Sequence, residues 1–575
     1  MNKLVISLLL ATYCVCGISA NKTGDKGVFD YAWNVQSKIS YFAIRIDSTS
    51  NPHSLVLETF GEQKGTISCL VPFPKTNVST IQIKINYKTE RCKELYLKVA
   101  SIGDCEKVQA IDTLYITPNV DWCTLDTFVC VNNPKLVSLS IEASGNSKEK
   151  RGMIWVNKLD LFVDGKNIND YLPADYTEDI CLKNEDVVPL NGETINSLPF
   201  MDKRILSIGE SIHGTESMNN MAIEIIKNRI ENKNCKLVLM EIPLEYSLYI
   251  NRYIHGDQNF KLDSISSFFD ITFFSHSITS LIEWIKNYNL HSEQKVNFLG
   301  IDSNVIPMKG RVDLFDFFFT LTMGRNDNGL AKICNLLLGY KTPLEDIISL
   351  FNENNGFENM LDKSESELAR YRLIKIYQNN SPFHNFIHRD TSMYENTELI
   401  MKCLLKSDET VTIFSHWGHS NYLYGQEASD LEGYAFGYYM RNKYKDDYSC
   451  ISLMAGSGRF VTSNSTVTNF KIASVQAPPT NSLEYHLDQL NLDTCYFSVD
   501  KLHCEDVLKC RMIGNENRNG QFRFIAPKIR MDGIIFFKQV SEIHKNEEVL
   551  KQNLNPSYIA IESYRIACIK NKTIQ

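Results

Sequence analysis

Residues 205–214 read Ile-Leu-Ser-Ile-Gly-Glu-Ser-Ile-His-Gly, an apolar run from Ile205 to Ile208 that ends on an acid, Glu210, and an imidazole, His213. A short apolar run bounded by turn residues is the mark of a strand buried on both faces. The arrangement returns at Leu237-Val238-Leu239-Met240 before Glu241, at Val296 to Leu299 before Gly300-Ile301-Asp302, and at Val411 to Phe414 before His416-Trp417-Gly418-His419. After His213, residues Met218, Met221, Ala222, Ile225 and Ile226 fall at i, i+3, i+4, i+7 and i+8, the stripe of an amphipathic helix. Strands alternating with helices predict an α/β fold. In such sheets the carboxyl ends of the strands are where ligands bind, and here those ends carry acids and imidazoles.

Working outward, Ser277 to Asn289 supplies another helix, and Val305 to Gln378 reads as a helical insertion whose Phe315, Phe317, Phe318 and Phe319 are expected to serve packing. Upstream the character changes. From Phe29 to Asp170 short segments such as Thr80-Ile81-Gln82-Ile83-Lys84-Ile85 alternate with period two between polar turns, which predicts an antiparallel β-sandwich. Its closing stretch, Ile154 to Lys166, resembles the last strands of jelly-roll modules of the carbohydrate-binding type. That resemblance implies a glycan partner met by exposed aromatics, with Trp33, Trp122 and Trp155 as candidates, although large aromatics are more commonly core residues. The expected division is a signal peptide at 1–20, the β-sandwich at 21–172, a polar linker near Pro173 to Pro189, an α/β catalytic domain at 186–545 and a C-terminal extension at 546–575.

A chain of 575 residues exceeds one ordinary core, and the usual domain size suggests roughly two to four domains. The net charge of −8 comes without a basic stripe, so a nucleic-acid partner is not expected. Lys3, the apolar stretch from Leu4 to Tyr13 and the small pair Ser19-Ala20 read as a secretory signal cleaved after Ala20, which predicts a secreted, periplasmic or cell-surface protein. Tyr13 and Val15, preceding Cys14 and Cys16, are too large for a lipid-modified cysteine site. No later segment has the length of apolar residues that a transmembrane helix needs. Cys69, Cys92, Cys105, Cys123 and Cys130 crowd the N-terminal part and are candidates for pairing in an oxidising compartment. The absence of any CxxC pair argues against a zinc knuckle.

Six patterns in order carry a family resemblance: Gly209-Glu210-Ser211-Ile212-His213-Gly214-Thr215, Met240-Glu241, Asn251-Arg252-Tyr253-Ile254-His255-Gly256, Gly300-Ile301-Asp302, Arg389-Asp390 with Met393 and Asn396, and His416-x-x-His419. Over roughly Pro189 to Val540 the chain resembles the erythromycin esterase family, α/β hydrolases that open macrolactone rings. The resemblance implies that His213 is the general base, with Glu210, Glu241, His416 and His419 completing the polar cluster. The chemistry of these residue types agrees. A histidine with a pKa near 6.5 takes a proton from water while a carboxylate orients its ring, and a second imidazole pair suits the oxyanion and the leaving alcohol. Asp302 and Arg389 read as supports. No Gly-x-Ser-x-Gly elbow exists, which argues against a serine triad.

The expected function is therefore a secreted hydrolase of a small-molecule ester or lactone that needs no cofactor. Two other readings compete with it. Glu210, His213, Glu241, His416 and His419 are also groups that a divalent metal accepts, as in a metal-dependent hydrolase or protease. Alternatively, the chain is a non-catalytic surface glycan binder. One departure bears on substrate choice: the family commonly has Arg nine residues after the catalytic His, where this chain has Ala222, preceded by Met218-Asn219. Loss of that cation on the pocket side predicts that macrolides are poor substrates.

Overall fold

Alternation in the N-terminal third becomes sheet. In β5 (Thr80–Glu90) the side chains of Ile81, Ile83, Ile85 and Tyr87 enter a core while those of Gln82, Lys84, Asn86 and Lys88 do not, as the two-residue period of a half-buried strand requires. The computed structural model describes residues 34–544 except 36–41, 48, 50–52, 60–61, 63, 75–76, 104–106, 148–149, 172–181, 263–274, 304–306, 324–327, 338–342, 353–356, 358–359, 379–388, 423–433, 464–469, 481, 503–506 and 515–520. The leader read at 1–20 and the extension at 546–575 lie outside the described residues.

Two antiparallel sheets build the N-terminal unit. One runs β1 (Asn34–Val35), β4 (Gly65–Pro72), β9 (Leu136–Gly145), β6 (Cys92–Ile102), β7 (Val108–Tyr115). The other runs β2 (Phe42–Asp47), β3 (Ser54–Thr59), β10 (Gly152–Val163), β5, β8 (Cys123–Cys130), with β11 (Lys166–Asn167) paired to β10. They share a core that includes Leu57, Ile83, Leu97, Leu139 and Val156. Trp122, 39% exposed, and Trp155 hold the Lys88 ammonium 5.2 and 4.7 Å from their ring centroids, a cation–π arrangement. Trp33 lies outside the described residues. Cys92, Cys123 and Cys130 carry free thiols, and Cys105 is not described.

The second unit is the expected α/β arrangement around a nine-stranded sheet. Its order is β12 (Val188–Pro189), β19 (Thr494–Ser498), β22 (Gly533–Val540), β17 (Tyr448–Ser463), β13 (Ile205–Glu210), β16 (Thr410–His416), β14 (Cys235–Pro243), β15 (Asn297–Asp302), with β18 (Phe470–Val475) paired to β17. From β22 to β15 every pairing is parallel. Each residue of β13 is buried, which explains why that strand reads as a continuous run rather than an alternation. Register aligns Glu210 with His416 and Pro243 with Asp302, so Glu210, His416, Glu241 and Asp302 end four adjacent strands on one edge. In the insertion, Phe315, Phe317 and Phe318 are completely buried, as packing residues are. Among the described residues no helix is long and apolar enough to cross a membrane.

Near the opposite end of the central strands lies Arg229, completely buried on helix Glu216–Asn232. It donates to Thr412 Oγ1 (2.9 Å) and to the carbonyls of Met201 (2.5 Å), Lys203 (2.8 Å) and Val411 (3.2 Å). Arg229→Met leaves these buried acceptors without donors at about 1–3 kcal/mol each, so a loss on the order of 3 kcal/mol is expected in urea unfolding. A shift below about 1 kcal/mol in that measurement would show that water or relaxation replaces the guanidinium.

Candidate active site

The tight turn after β13 carries His213 back over the strand end. Two glycines permit it. A Cβ on Gly209 would lie 2.6 Å from Trp417 Cβ, and Gly214 has φ +77° with Val461 O 2.3 Å from the place its Cβ would take. The turn sets His213 Nδ1 2.6 Å from Glu210 Oε1, both side chains being nearly enclosed at 7% and 2% exposure. Burial, then the nearby Glu241 carboxylate, push the Glu210 carboxyl well above its usual range. Its second oxygen, Oε2, has no hydrogen-bond partner. The pair therefore has a strong affinity for the proton in its short bond, and that proton is available to shift toward Glu210 as the ring gains charge.

Glu241 behaves in the opposite way. Burial resists its ionisation, but His419 and Arg389 overcome that and hold it well below the usual carboxylate range. Its Oε1 accepts from Arg389 Nη2 at 2.7 Å and its Oε2 from the His416 amide at 2.6 Å. Two neighbouring buried carboxyls driven apart in acidity is the pattern by which one site keeps both a proton acceptor and a fixed charge.

His416 is placed otherwise than its expected role requires. Its Nε2 meets Ile513 O at 3.1 Å and its Nδ1 accepts the Gly418 N–H at 3.2 Å, capping the short helix Trp417–Ser420. Both nitrogens serve the backbone. Burial, then His213, push its pKa down to about 3, so the ring stays neutral and packs 4.6 Å from the His213 ring centroid. It shapes the site and has no nitrogen left to move a proton or bind an oxyanion.

His419 stands at the more open side, 15% exposed. Its Nδ1 lies 2.8 Å from Asp390 Oδ1, and its Nε2 lies 3.4 Å from Glu241 Oε1 and 3.2 Å from Arg389 Nη1. Burial opposes its protonation, but Asp390 and Glu241 raise its pKa to about 10. Arg389 Nη1 donates to Nε2, so the arrangement holds the tautomer with its proton on Nδ1 toward Asp390, and a second proton on the ring has to displace that contact. Asp390 was quoted in the motif read from sequence but given no role, because an acid in the first turn of a helix, here Arg389–Leu404, reads as an ordinary complement to the helix dipole.

Arg389, read from sequence as a support, occupies the centre of this cluster. Nε and Nη2 grip Asp302 at 2.7–3.1 Å, and Nη2 also meets Glu241. Asp302 Oδ1 further accepts the Ser303 N–H at 2.7 Å. At 24% exposure the guanidinium is the most accessible group of the cluster. These contacts bear on a metal. Both Glu241 oxygens, both His416 nitrogens and the Nδ1 of each remaining imidazole already have partners, and a guanidinium sits among the carboxylates. The donor set does not fit a divalent cation without displacing Arg389.

Two other sequence signals prove architectural. Asn251 Oδ1 accepts the Phe298 N–H (3.0 Å), and His255 Nε2 meets Asn297 Oδ1 (3.0 Å), tying helix Leu244–Ile254 to the start of β15, away from the cluster. Ala222, expected on the pocket side, is completely buried in the apolar core with Met218 and Ile225, where its small size serves helix packing.

The erythromycin esterase family profile matches residues 357–540, which bears out the resemblance read from the motifs. Erythromycin esterase type II of Escherichia coli is 26% identical over 109 residues, 19% of this chain and 25% of that protein. The aligned stretch thus spans a quarter of the relative's length. A crystal structure of a Bacillus cereus protein superposes with a TM-score of 0.50 at 17% identity, covering 63% of this chain and 97% of that one, and shows the shared fold. An erythromycin esterase variant in an open conformation aligns with a TM-score of 0.44 at 14% identity, covering 62% and 96%.

Proposed function

We propose that this chain hydrolyses a small-molecule ester or lactone by direct attack of water, with His213 as the general base. The observation that carries the reading is the 2.6 Å His213–Glu210 contact at the end of the central strand, on the same sheet edge as the Arg389 guanidinium. His213 Nε2 takes a proton from water while the proton on Nδ1 moves toward Glu210, so little net charge is created in the buried pair. The water oxygen adds to the carbonyl carbon, and the resulting alkoxide faces the Arg389 guanidinium. Arg389, fixed by Asp302 and Glu241, is the preorganised oxyanion donor; a group aimed in advance at the developing charge costs no reorganisation during the reaction. Glu241 holds Arg389 and the His416 amide together, and Asp302 sets the direction of the guanidinium.

Purified protein tested against a panel of alkyl esters, aryl esters and lactones should turn over at least one of them. Activity should survive exhaustive dialysis against a chelator. A panel without turnover removes the hydrolase reading, whereas chelator-sensitive activity restored by a divalent ion would favour the metal-dependent alternative.

A further inference from the structure

Asn396 ends the pattern that begins with Arg389-Asp390, and the hydrolytic reading gives it no part. The following inference rests on that reading, in which Arg389 is the oxyanion donor. We propose that Asn396 is a positioning residue that pins the turn at the end of β15, so that Asp302 aims the Arg389 guanidinium at the developing charge.

On helix Arg389–Leu404, residues Arg389, Met393 and Asn396 fall at i, i+4 and i+7, one face of the helix. Met393 and Asn396 are completely buried there. Asn396 Nδ2 donates to Ile301 O at 2.8 Å, and it lies 3.4 Å from Asp302 O and 3.5 Å from Ser303 Oγ. Its Oδ1 faces Arg372 Nη1 at 3.5 Å, and that buried guanidinium is in turn paired with the buried Glu245 carboxylate. The partners fix which way the amide points, since a backbone carbonyl can only accept and a guanidinium can only donate. Arg372 and Glu245 stand on helices Lys363–Gln378 and Leu244–Ile254, so the amide joins three helices to one strand end. Packing alone does not call for an amide here, because a leucine of similar shape fills the volume without the cost of burying a polar group. What the amide adds is direction.

That direction reaches the guanidinium through Asp302. Its Oδ1 accepts the Ser303 N–H at 2.7 Å, which locks the carboxylate to the turn that Asn396 holds. Both carboxylate oxygens accept from Arg389 Nε at 3.1 Å, and Oδ2 accepts from Nη2 at 2.7 Å as well. One helix thus supplies both the guanidinium and the pin for the carboxylate that orients it. A turn released from Asn396 would tilt the fork without removing its charge.

Asn396→Ala should lower kcat for the best ester of the panel by about tenfold with KM changed by less than about twofold, because an oxyanion donor acts in the transition state and a 1 Å misplacement costs up to about a hundredfold. Asn396→Leu, which leaves no cavity, should do the same. A double-mutant cycle separates positioning from mere support of the fold. A structural defect lowers the rate whatever side chain stands at 389. The ammonium of Arg389→Lys is a point charge with no fork to aim, so in that background either substitution should lower kcat by less than about twofold. Losses of equal size in both backgrounds, or none beside the native Arg389, would overturn the inference. Two Asn396 variants that both fail to fold would likewise assign the residue to the architecture alone. Wild-type protein that cleaves no ester, or an Arg389→Lys variant as fast as wild type, marks instead the failure of the reading beneath the inference, which falls with it.

Discussion

Replacing His213 with alanine should lower kcat for ester hydrolysis by at least about a hundredfold, the lower bound for loss of a positioned general base, with a folded protein remaining. The effect is expected to be large because the described geometry offers no substitute. His416, whose ring is adjacent, has both nitrogens on backbone groups and a pKa pushed down to about 3. His419 has its Nδ1 on Asp390 and its Nε2 on Arg389. Glu210 then loses its partner while its burial persists, so its carboxyl should take up a proton and be inert. Far-ultraviolet circular dichroism and a thermal melt establish folding, and steady-state rates on the best ester of the panel measure the loss. A well-folded variant within about fivefold of wild type would move the base elsewhere.

Arg389→Met is expected to have an equally large effect on kcat/KM, about a hundred- to thousandfold, the range seen when one oxyanion donor is removed. It should also destabilise the fold. Glu241 and Asp302 are 1% and 10% exposed, and a buried charge stripped of its partner typically costs about 3–5 kcal/mol. Glu241, against whose burial Arg389 helps hold the charge, takes up a proton more readily without it and so reduces that figure, and the melt should be less perturbed near pH 5 than near pH 8. Arg389→Lys separates the two roles. The ammonium restores charge but not the planar fork that meets Asp302 through two nitrogens. Stability should return largely in that variant while the rate stays at least about tenfold low. A lysine variant with the wild-type rate would show that Arg389 acts only as a counter-charge.

Much of the fold was legible because its signals are local. The buried strands Ile205–Glu210 and Thr410–His416 announce themselves as apolar runs, and their partners are settled by the same chemistry, since a strand apolar on both faces must lie inside a sheet. The alternation of Thr80–Glu90 was equally plain. Glu210, His213, Glu241 and His419 could be chosen for the site because each closes or follows such a strand. Other features resisted. Arg389 begins a helix, Arg389–Leu404, and although the motif resemblance marks it as a support, local periodicity does not distinguish a cluster-centre guanidinium from a surface one.

The sequence by itself determined that strand ends bearing carboxylates and imidazoles come together, because hydrophobic periodicity and turn residues act over a few neighbours. Only the tertiary structure decided what each group does there. Protonation state and freedom to react depend on contacts made across the chain: His416 is silenced by the carbonyl of Ile513, 97 residues away, and Asp390 is held by the amide of Phe436, 46 residues away. Arg389 is centred by a carboxylate 148 residues before it. Such contacts leave no periodic trace, since a hydrogen bond at 3 Å depends on how elements pack and not on how residues follow one another.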